Sequence, residues 1–165
     1  MFGHFLGELV PGDFTAGGEY TVLHLSDPPA ELAALICFED TLGDLTRRFV
    51  LNGAQVLVNV TNDGWFAKSP AAEQHLANAV LRAVENRRPL VRCGNTGVTA
   101  QVLPSGQIER WLPPFQQGFV ARDVRVPQHA RITFYTRHGD WVSILGIAAT
   151  LSALGMIVVR KVRAR

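Results

Sequence analysis

The feature that most constrains this chain is an uncharged run of nineteen residues near its C-terminus, from Trp141 to Val159. At a helical rise of about 1.5 Å per residue, the run spans roughly 28 Å, close to the thickness of the hydrocarbon core of a bilayer. A buried helix closing a globular domain is the alternative, but such helices rarely run this long without a charge. We therefore predict a membrane-spanning helix, and the basic residues that follow it are Arg160, Lys161, Arg163 and Arg165.

The basic tail also predicts a direction across the membrane. Because Lys and Arg beside a span stay on the cytoplasmic side, we expect residues 1–137 on the far side, which in a bacterium is the periplasm. Met1–Val10 has no basic region and contains Glu8, so this segment is not expected to act as a signal peptide. The expected division is a globular domain over 1–137 and a membrane helix with its cytoplasmic tail over 138–165.

Charge and cysteine content exclude several classes of function. The net charge is +2 and the basic residues form no stripe interleaved with aromatics, so nucleic-acid binding is not expected. The two cysteines, Cys37 and Cys93, are too few for a disulfide framework and lack the paired spacing of a zinc site. We expect no metal and no cofactor. A single Cys37–Cys93 disulfide is an alternative in an oxidising compartment, but nothing in the sequence requires it.

Apolar runs alternate with helical patterns, which predicts an α/β domain whose first part is largely parallel. The continuous apolar runs before Cys37 and before Thr61 are typical of strands buried on both faces. Pro104-Ser105-Gly106 indicates a turn between two antiparallel strands. The predicted strands cover 20–25, 32–36, 55–60, 90–92, 99–103, 107–111 and 118–124, and the predicted helices cover 40–52 and 71–87.

Polar groups follow three successive predicted strands: Cys37, then Asn62 and Asp63, then Asn95. Because the carboxyl ends of parallel strands share one sheet edge, where ligands bind in open α/β sheets, these residues predict a site. A thiol before a helix N-terminus is favoured as a thiolate, although a lone cysteine is as often a small buried apolar residue.

Four neighbours of these groups allow two interpretations each. Glu39 is a helix N-terminal charge or a carboxylate lining the pocket of the thiol. Trp65 and Phe66, two large aromatics in a loop, either fold down onto the core or wall a pocket. His75 is a general base for Cys37 or, more commonly for a helical His, a surface or packing residue.

Five segments, taken together, resemble the apolipoprotein N-acyltransferase family of the nitrilase, or carbon–nitrogen hydrolase, superfamily. They keep the order and spacing of that family over nearly the whole chain, and the membrane helix distinguishes it from the soluble nitrilases. The segments are Ile36-Cys37-Phe38-Glu39-Asp40, Leu57-Val58-Asn59-Val60-Thr61-Asn62-Asp63-Gly64-Trp65-Phe66, Gln74-His75-Leu76, Arg82-Ala83-Val84-Glu85-Asn86-Arg87-Arg88-Pro89 and Asn95-Thr96-Gly97-Val98-Thr99.

The resemblance implies a partial α-β-β-α sandwich at the bacterial inner membrane, with its globular part in the periplasm. It implies that Cys37 takes an acyl chain from a phospholipid as a thioester and passes it to the N-terminal amine of a diacylglyceryl-cysteine lipoprotein. A thioester divides one hard acyl transfer into two easier steps. The substrate-binding residues that it implies are Phe38, Glu39, Asn62, Asp63, Trp65, Phe66 and Asn95.

Two groups that the family uses have no counterpart here. Its glutamate base and its oxyanion-binding lysine lie upstream of the nucleophile, whereas the first lysine in this chain is Lys68 and the upstream glutamates stand in loop-like sequence without the family motif. We therefore expect the chain alone to be inactive. The competing interpretations are half of a soluble-type amidase and a non-catalytic, membrane-anchored fragment.

Overall fold

The computed structural model describes residues 17–128 and 131–163, which build one sheet, a layer of helices and a long C-terminal helix. The six strands lie in chain order across the sheet: β1 (Leu23–Ser26), β2 (Pro29–Ile36), β3 (Val56–Thr61), β4 (Leu90–Gly94), β5 (Thr99–Val102) and β6 (Ile108–Leu112). The helices are α1 (Gly43–Leu51), α2 (Ala71–Asn86), α3 (Phe134–His138) and α4 (Trp141–Arg163), with short 3₁₀-helices at Cys37–Thr41 and Asp63–Phe66.

The parallel strands β2, β3 and β4 form the middle of the sheet, and the outer strands join them antiparallel. Their register pairs Ile36 with Val60, and Val60 with Cys93. The chain therefore leaves all three parallel strands at one edge, which confirms the predicted convergence of the strand ends.

One face of the sheet carries the core because α1 and α2 both pack on it. Leu35, Leu57 and Leu90 have no exposed surface, and they form one apolar cluster with Phe49 and Leu76 of the helices. Removing each such side chain from water stabilises the fold by about 1.5–3 kcal/mol. The helical spacing of the apolar residues in 71–87 predicted this contact.

The opposite face of the sheet corrects the prediction that β2 and β3 are buried on both faces. Ile36 is 68% exposed and Val60 is 55% exposed, whereas Val56 at the other end of β3 is buried. The described residues place helices on one face alone, so the apolar side chains near the carboxyl ends of β2 and β3 stay uncovered. Such a face is what we expect of half of a sandwich.

The strand predicted over 118–124 is wrong. These residues pair with no strand in the described part of the chain. The segment instead lies on the outer face of the sheet, where Val124 and Val126 line a groove of about 370 Å³ with Leu32 and Val58. The alternating apolar residues cover a sheet face rather than extend it.

Two predicted helices begin or end differently from their pattern. The helix predicted over 40–52 splits, because Cys37–Thr41 forms a tight 3₁₀ turn before α1 starts at Gly43. Helix α2 ends at Asn86, one residue early, since Arg87 adopts a left-handed conformation with φ +52°. A left-handed residue just past the last turn is a common way for a helix to stop.

The predicted membrane helix is confirmed as a helix, α4, which continues four residues beyond Val159. It is the one helix in the described ranges that is long and apolar enough to cross a membrane. No other described part of the chain packs over its apolar surface. Helix α3, which precedes α4, holds the start of α4 against the domain through two hydrogen bonds. The Thr136 hydroxyl donates to Asn86 Oδ1 over 2.9 Å, and the Thr133 hydroxyl donates to the Glu85 carbonyl over 2.6 Å.

Candidate active site

Cys37 stands on a strained turn at the carboxyl end of β2. Its φ is +52°, in the left-handed region that costs a non-glycine residue about 1–3 kcal/mol. Two side chains hold the turn: Asn59 donates to the carbonyls of Cys37 (2.9 Å) and Leu35 (3.2 Å), and Glu39 accepts from the Ile36 amide over 2.7 Å. Cys37 is half-buried and its thiol is free, as is that of the exposed Cys93.

A hydroxyl links the Cys37 sulfur to a buried carboxylate. Thr61 Oγ1, at the end of β3, lies 3.4 Å from Cys37 Sγ and 3.0 Å from Asp63 Oδ1. Both Thr61 and Asp63 are buried. The predicted site residue Asp63 therefore reaches Cys37 through Thr61.

Beneath this link lies a fully buried cluster of charged groups centred on Arg92. Its guanidinium donates to Asp40 Oδ2 over 2.6 Å, to Asn59 Oδ1 over 2.9 Å and to Asp63 Oδ2 over 3.1 Å. Buried carboxylates are stable only when they are paired with a cation and hydrogen-bonded. The rigid guanidinium fork of Arg92 supplies the positive charge and the hydrogen bonds to Asp40 and to Asp63. The cluster joins the turn after β2 to the turn after β3.

His75 belongs to this cluster and is buried. Its Nε2 lies 2.8 Å from Asp40 Oδ1, while its Nδ1 lies 3.0 Å from Asp63 Oδ1 and 2.8 Å from Arg92 Nη2. Both ring nitrogens are therefore engaged by the cluster. Of the two interpretations of His75, the structure supports a packing residue, since neither nitrogen is left to act on Cys37.

Burial dominates the electrostatics of Asp40, the least exposed carboxylate of the cluster. Loss of water raises the pKa of Asp40 above its ordinary value, and the adjacent charges of His75 and Arg92 act in the opposite direction. The ionised form of Asp40 thus depends on these two neighbours.

The loops after β3 and β4 are joined by two asparagines, both predicted as site residues. Asn95 Nδ2 donates to Asn62 Oδ1 over 2.6 Å, and Asn95 Oδ1 accepts from the Asp63 amide over 3.1 Å. Asn62 also caps the 3₁₀-helix by accepting from the Gly64 amide over 3.0 Å. These contacts fix the position of Asp63 relative to both strands.

The aromatic residues of the site divide between packing and exposure. Phe38 stacks on the ring of His75 with centroids 4.7 Å apart, and Phe66 meets both rings edge-on at 5.8 and 6.0 Å. Phe66 therefore folds down over the buried cluster. Trp65 is 84% exposed, which leaves its ring free to meet a ligand.

The sequence reasoning missed Thr61, Asn59 and Arg92. Each is a polar residue inside an apolar strand, at positions that the register assigns to the helix-covered face. A polar or charged residue at a buried strand position must find partners, and that signal was available in the segments VLVNVT and LVRCG.

The chemistry that these residues can support is that of a positioned thiol. Cys37 has a fixed backbone, partial access to solvent and a hydroxyl at its sulfur. Residues 17–128 and 131–163 contain no group of three or more His, Cys, Asp or Glu side chains that could hold a metal ion. The expectation that Glu31 stands in loop-like sequence is wrong, because Glu31 lies in β2, near the start of that strand, where it accepts from exposed His24 over 2.8 Å.

Two known proteins are similar to most of this chain. The chain is 39% identical over 155 residues to the apolipoprotein N-acyltransferase of Geobacter metallireducens, a match that covers 91% of this chain and 29% of that protein. It is 41% identical over 146 residues to the apolipoprotein N-acyltransferase of Chlorobaculum tepidum, covering 86% of this chain and 27% of that one. The chain thus spans under a third of the length of these relatives.

A solved structure and a family pattern agree on the fold. The carbon–nitrogen hydrolase of Helicobacter pylori G27 superposes with a TM-score of 0.51 at 15% identity, covering 62% of this chain and 41% of that one. The pattern of the carbon–nitrogen hydrolase family matches residues 4–137. The mixed α/β domain with its six-stranded sheet is therefore nitrilase-like, and this chain belongs to the carbon–nitrogen hydrolase family.

Proposed function

We propose that this chain is the C-terminal part of a lipoprotein N-acyltransferase, with Cys37 as its nucleophile. The observation that carries the proposal is the half-buried Cys37 thiol, held at φ +52° on the edge where three parallel strands end. The relatives named above and the helix α4 support an acyltransferase at the membrane over a soluble amidase.

The reaction has two steps on one sulfur. The Cys37 thiolate attacks the ester carbonyl of a phospholipid, forms a thioester and releases a lysophospholipid. The N-terminal amine of a diacylglyceryl-cysteine lipoprotein then attacks the thioester, forms an amide and frees the thiol. Phe38, Glu39, Asn62 and Asn95 would line the acyl-accepting edge, with exposed Trp65 beside the lipid.

The chain needs a base and an oxyanion donor from outside the described residues. Glu31 is engaged with His24, and the first lysine, Lys68, follows the nucleophile. Removing such groups commonly lowers rates by factors of about 10²–10⁴ each. We therefore propose that the 165-residue chain alone is inactive and that it acts as part of a longer enzyme.

The test is a chimera in which this chain replaces the matching C-terminal segment of the Geobacter metallireducens relative. The chimera is reconstituted with phospholipid carrying a labelled acyl chain and a diacylglyceryl-cysteine peptide. We expect a labelled, hydroxylamine-sensitive protein adduct and N-acylated peptide, both lost in Cys37→Ser and kept in the matched control Cys93→Ser. Acylation that survives Cys37→Ser would refute the assignment of the nucleophile.

A further inference from the structure

The hydroxyl of Thr61 lies between two acceptors and has one proton. Cys37 Sγ is 3.4 Å away on one side and Asp63 Oδ1 is 3.0 Å away on the other. Thr61 is 6% exposed, so water has little access to the group. The single Thr61 proton can serve only one of these two acceptors at a time.

The Asp63 end of this link does not depend on Thr61. Asp63 Oδ1 lies 3.0 Å from His75 Nδ1 and 3.3 Å from Arg92 Nη2, and Oδ2 accepts from Arg92 over 3.1 Å. Asp63 thus keeps hydrogen-bond partners when the Thr61 proton turns away. The cost of releasing that proton is correspondingly small.

The Cys37 end is equally fixed. Asn59 holds the carbonyl of Cys37, and Glu39 holds the amide of Ile36 before it, so the backbone that carries the sulfur is fixed relative to Thr61. The charged groups around the link are the carboxylates of Glu39, Asp40 and Asp63 and the cationic Arg92, with His75 beside them. Asp63 is the carboxylate that Thr61 joins to the sulfur, and a hydroxyl that donates to a sulfur anion stabilises it by one hydrogen bond.

We propose that Thr61 is a positioning residue for Cys37. When Cys37 is deprotonated, the Thr61 hydroxyl stops donating its hydrogen bond to Asp63 and donates it to the sulfur instead. In the thiol, S–H donates to Thr61 Oγ1 and Thr61 donates to Asp63. When a base removes the thiol proton, the Thr61 hydroxyl rotates so that its hydrogen points at the sulfur, and the covalent O–H bond of Thr61 stays intact. The relevance to catalysis rests on the proposed function, but the hydrogen-bond exchange does not require it.

The test follows the alkylation of Cys37 in the full 165-residue chain, reconstituted in lipid nanodiscs and carrying Cys93→Ser so that one thiol reports. The rate of reaction with iodoacetamide is measured against pH. Thr61→Val keeps the shape and removes the hydroxyl, and Thr61→Ser keeps the hydroxyl. We expect Thr61→Val to move the midpoint of the profile upward and to slow alkylation at neutral pH about tenfold, the effect of one hydrogen bond to a charged group.

Thr61→Ser should stay within about threefold of the parent chain, since it keeps the donor. A Thr61→Val profile that superposes on the parent, or an equal loss in both variants, would overturn the proposal. Circular dichroism confirms that each variant is folded. If Thr61→Val does not fold, the infrared S–H stretch of the single-thiol parent decides, because a hydrogen-bonded S–H absorbs at lower frequency than the thiol of the unfolded chain and an unshifted band overturns it. Neither readout needs acyl transfer, so this proposal and the proposed function can fail separately.

Discussion

Arg92 and Asp40 form an ion pair that has no contact with solvent, with 2.6 Å between Arg92 Nη1 and Asp40 Oδ2. Arg92 lies in the middle of β4, and Asp40 lies in the 3₁₀ turn that follows Cys37. The pair therefore connects the turn bearing the thiol to the centre of the sheet. Because Arg92 also contacts Asp63, one guanidinium sets the positions of two of the three loops at the site.

Replacing Arg92 tests how far the domain depends on this cluster. Arg92→Leu leaves two buried carboxylates without their shared cation, and breaking a buried pair in this way costs about 3–5 kcal/mol. Arg92→Lys should lose less, since it keeps the charge but lacks the planar fork. The free energy of unfolding in detergent micelles is the measurement, with exposed Arg125→Leu as the control. A loss under about 1 kcal/mol in Arg92→Leu would show that the cluster is dispensable to the fold.

A second pair, at the surface, predicts a pH dependence. Arg110 of β6 donates two hydrogen bonds, of 3.0 and 2.8 Å, to the carboxylate of Glu73 in α2. These bonds hold the pKa of Glu73 below its ordinary value. The pair therefore stabilises the fold above the pKa that Glu73 has in the unfolded chain, and this contribution is lost as the pH falls through the lowered pKa of the folded chain.

The measurement for this pair is the free energy of unfolding of Glu73→Gln against pH, with Glu109→Gln as the matched surface control. Both members of the pair are about half exposed, so the free energy of unfolding at neutral pH should fall by less than about 1 kcal/mol relative to the parent chain. This difference should shrink toward zero in acid. A difference that grows as the pH falls would contradict the sign.

Gly97 tests the packing around Asp63. A Cβ at Gly97 would collide with the Asp63 carboxylate, which is itself fixed by Arg92 and His75. Because the carboxylate cannot shift without losing these bonds, Gly97→Ala should destabilise the domain by about 1–3 kcal/mol. Gly18→Ala is the control, since its Cβ would meet nothing within 4 Å. Equal stabilities for the two variants would show that the Asp63 loop can move.

At Ala67 we expect a change to glycine to stabilise the chain, the opposite of the effect expected for Gly97→Ala. It follows the Trp65-Phe66 pair with φ +48° and ψ −145°, a conformation that glycine adopts far more readily. Replacing Ala67 by glycine removes this backbone strain, so Ala67→Gly should stabilise the chain by about 1 kcal/mol. Ala77→Gly, at an exposed position inside α2, should instead cost about 0.5–1 kcal/mol. If both substitutions lower the free energy of unfolding, the backbone at Ala67 is not strained.

The sequence predicted the elements that local periodicity determines. Helix α2, the parallel strands β2 to β4 and helix α4 follow their patterns closely, because an apolar stripe or run leaves few alternatives. The same periodicity cannot reveal which face of a strand has a covering layer. The apolar runs therefore predicted Ile36 and Val60 to be buried, which is wrong, since both side chains are exposed in the structure.

The site divides along the same line. The convergence of Cys37, Asp63 and Asn95 followed from topology alone, since parallel strands end at one edge. The partners of these residues did not follow, because Arg92 is 52 residues from Asp40 and 29 from Asp63 in the chain. Long-range pairing of buried polar groups depends on the register of β3 and β4, and local sequence patterns do not predict that register.

The direction of α4 is the last prediction. Its C-terminal end carries Arg160, Lys161 and Arg163, and basic residues flanking a span are retained on the cytoplasmic side. In bacteria expressing the chimera with Cys37→Ser and Cys93→Ser, a thiol introduced by Arg163→Cys should react with a membrane-impermeant maleimide only after the inner membrane is opened. A thiol introduced by Ser105→Cys, in the exposed turn between β5 and β6, should react once the outer membrane alone is permeable. The reverse pattern would place Cys37 in the cytoplasm, away from the lipoproteins that the proposed function requires.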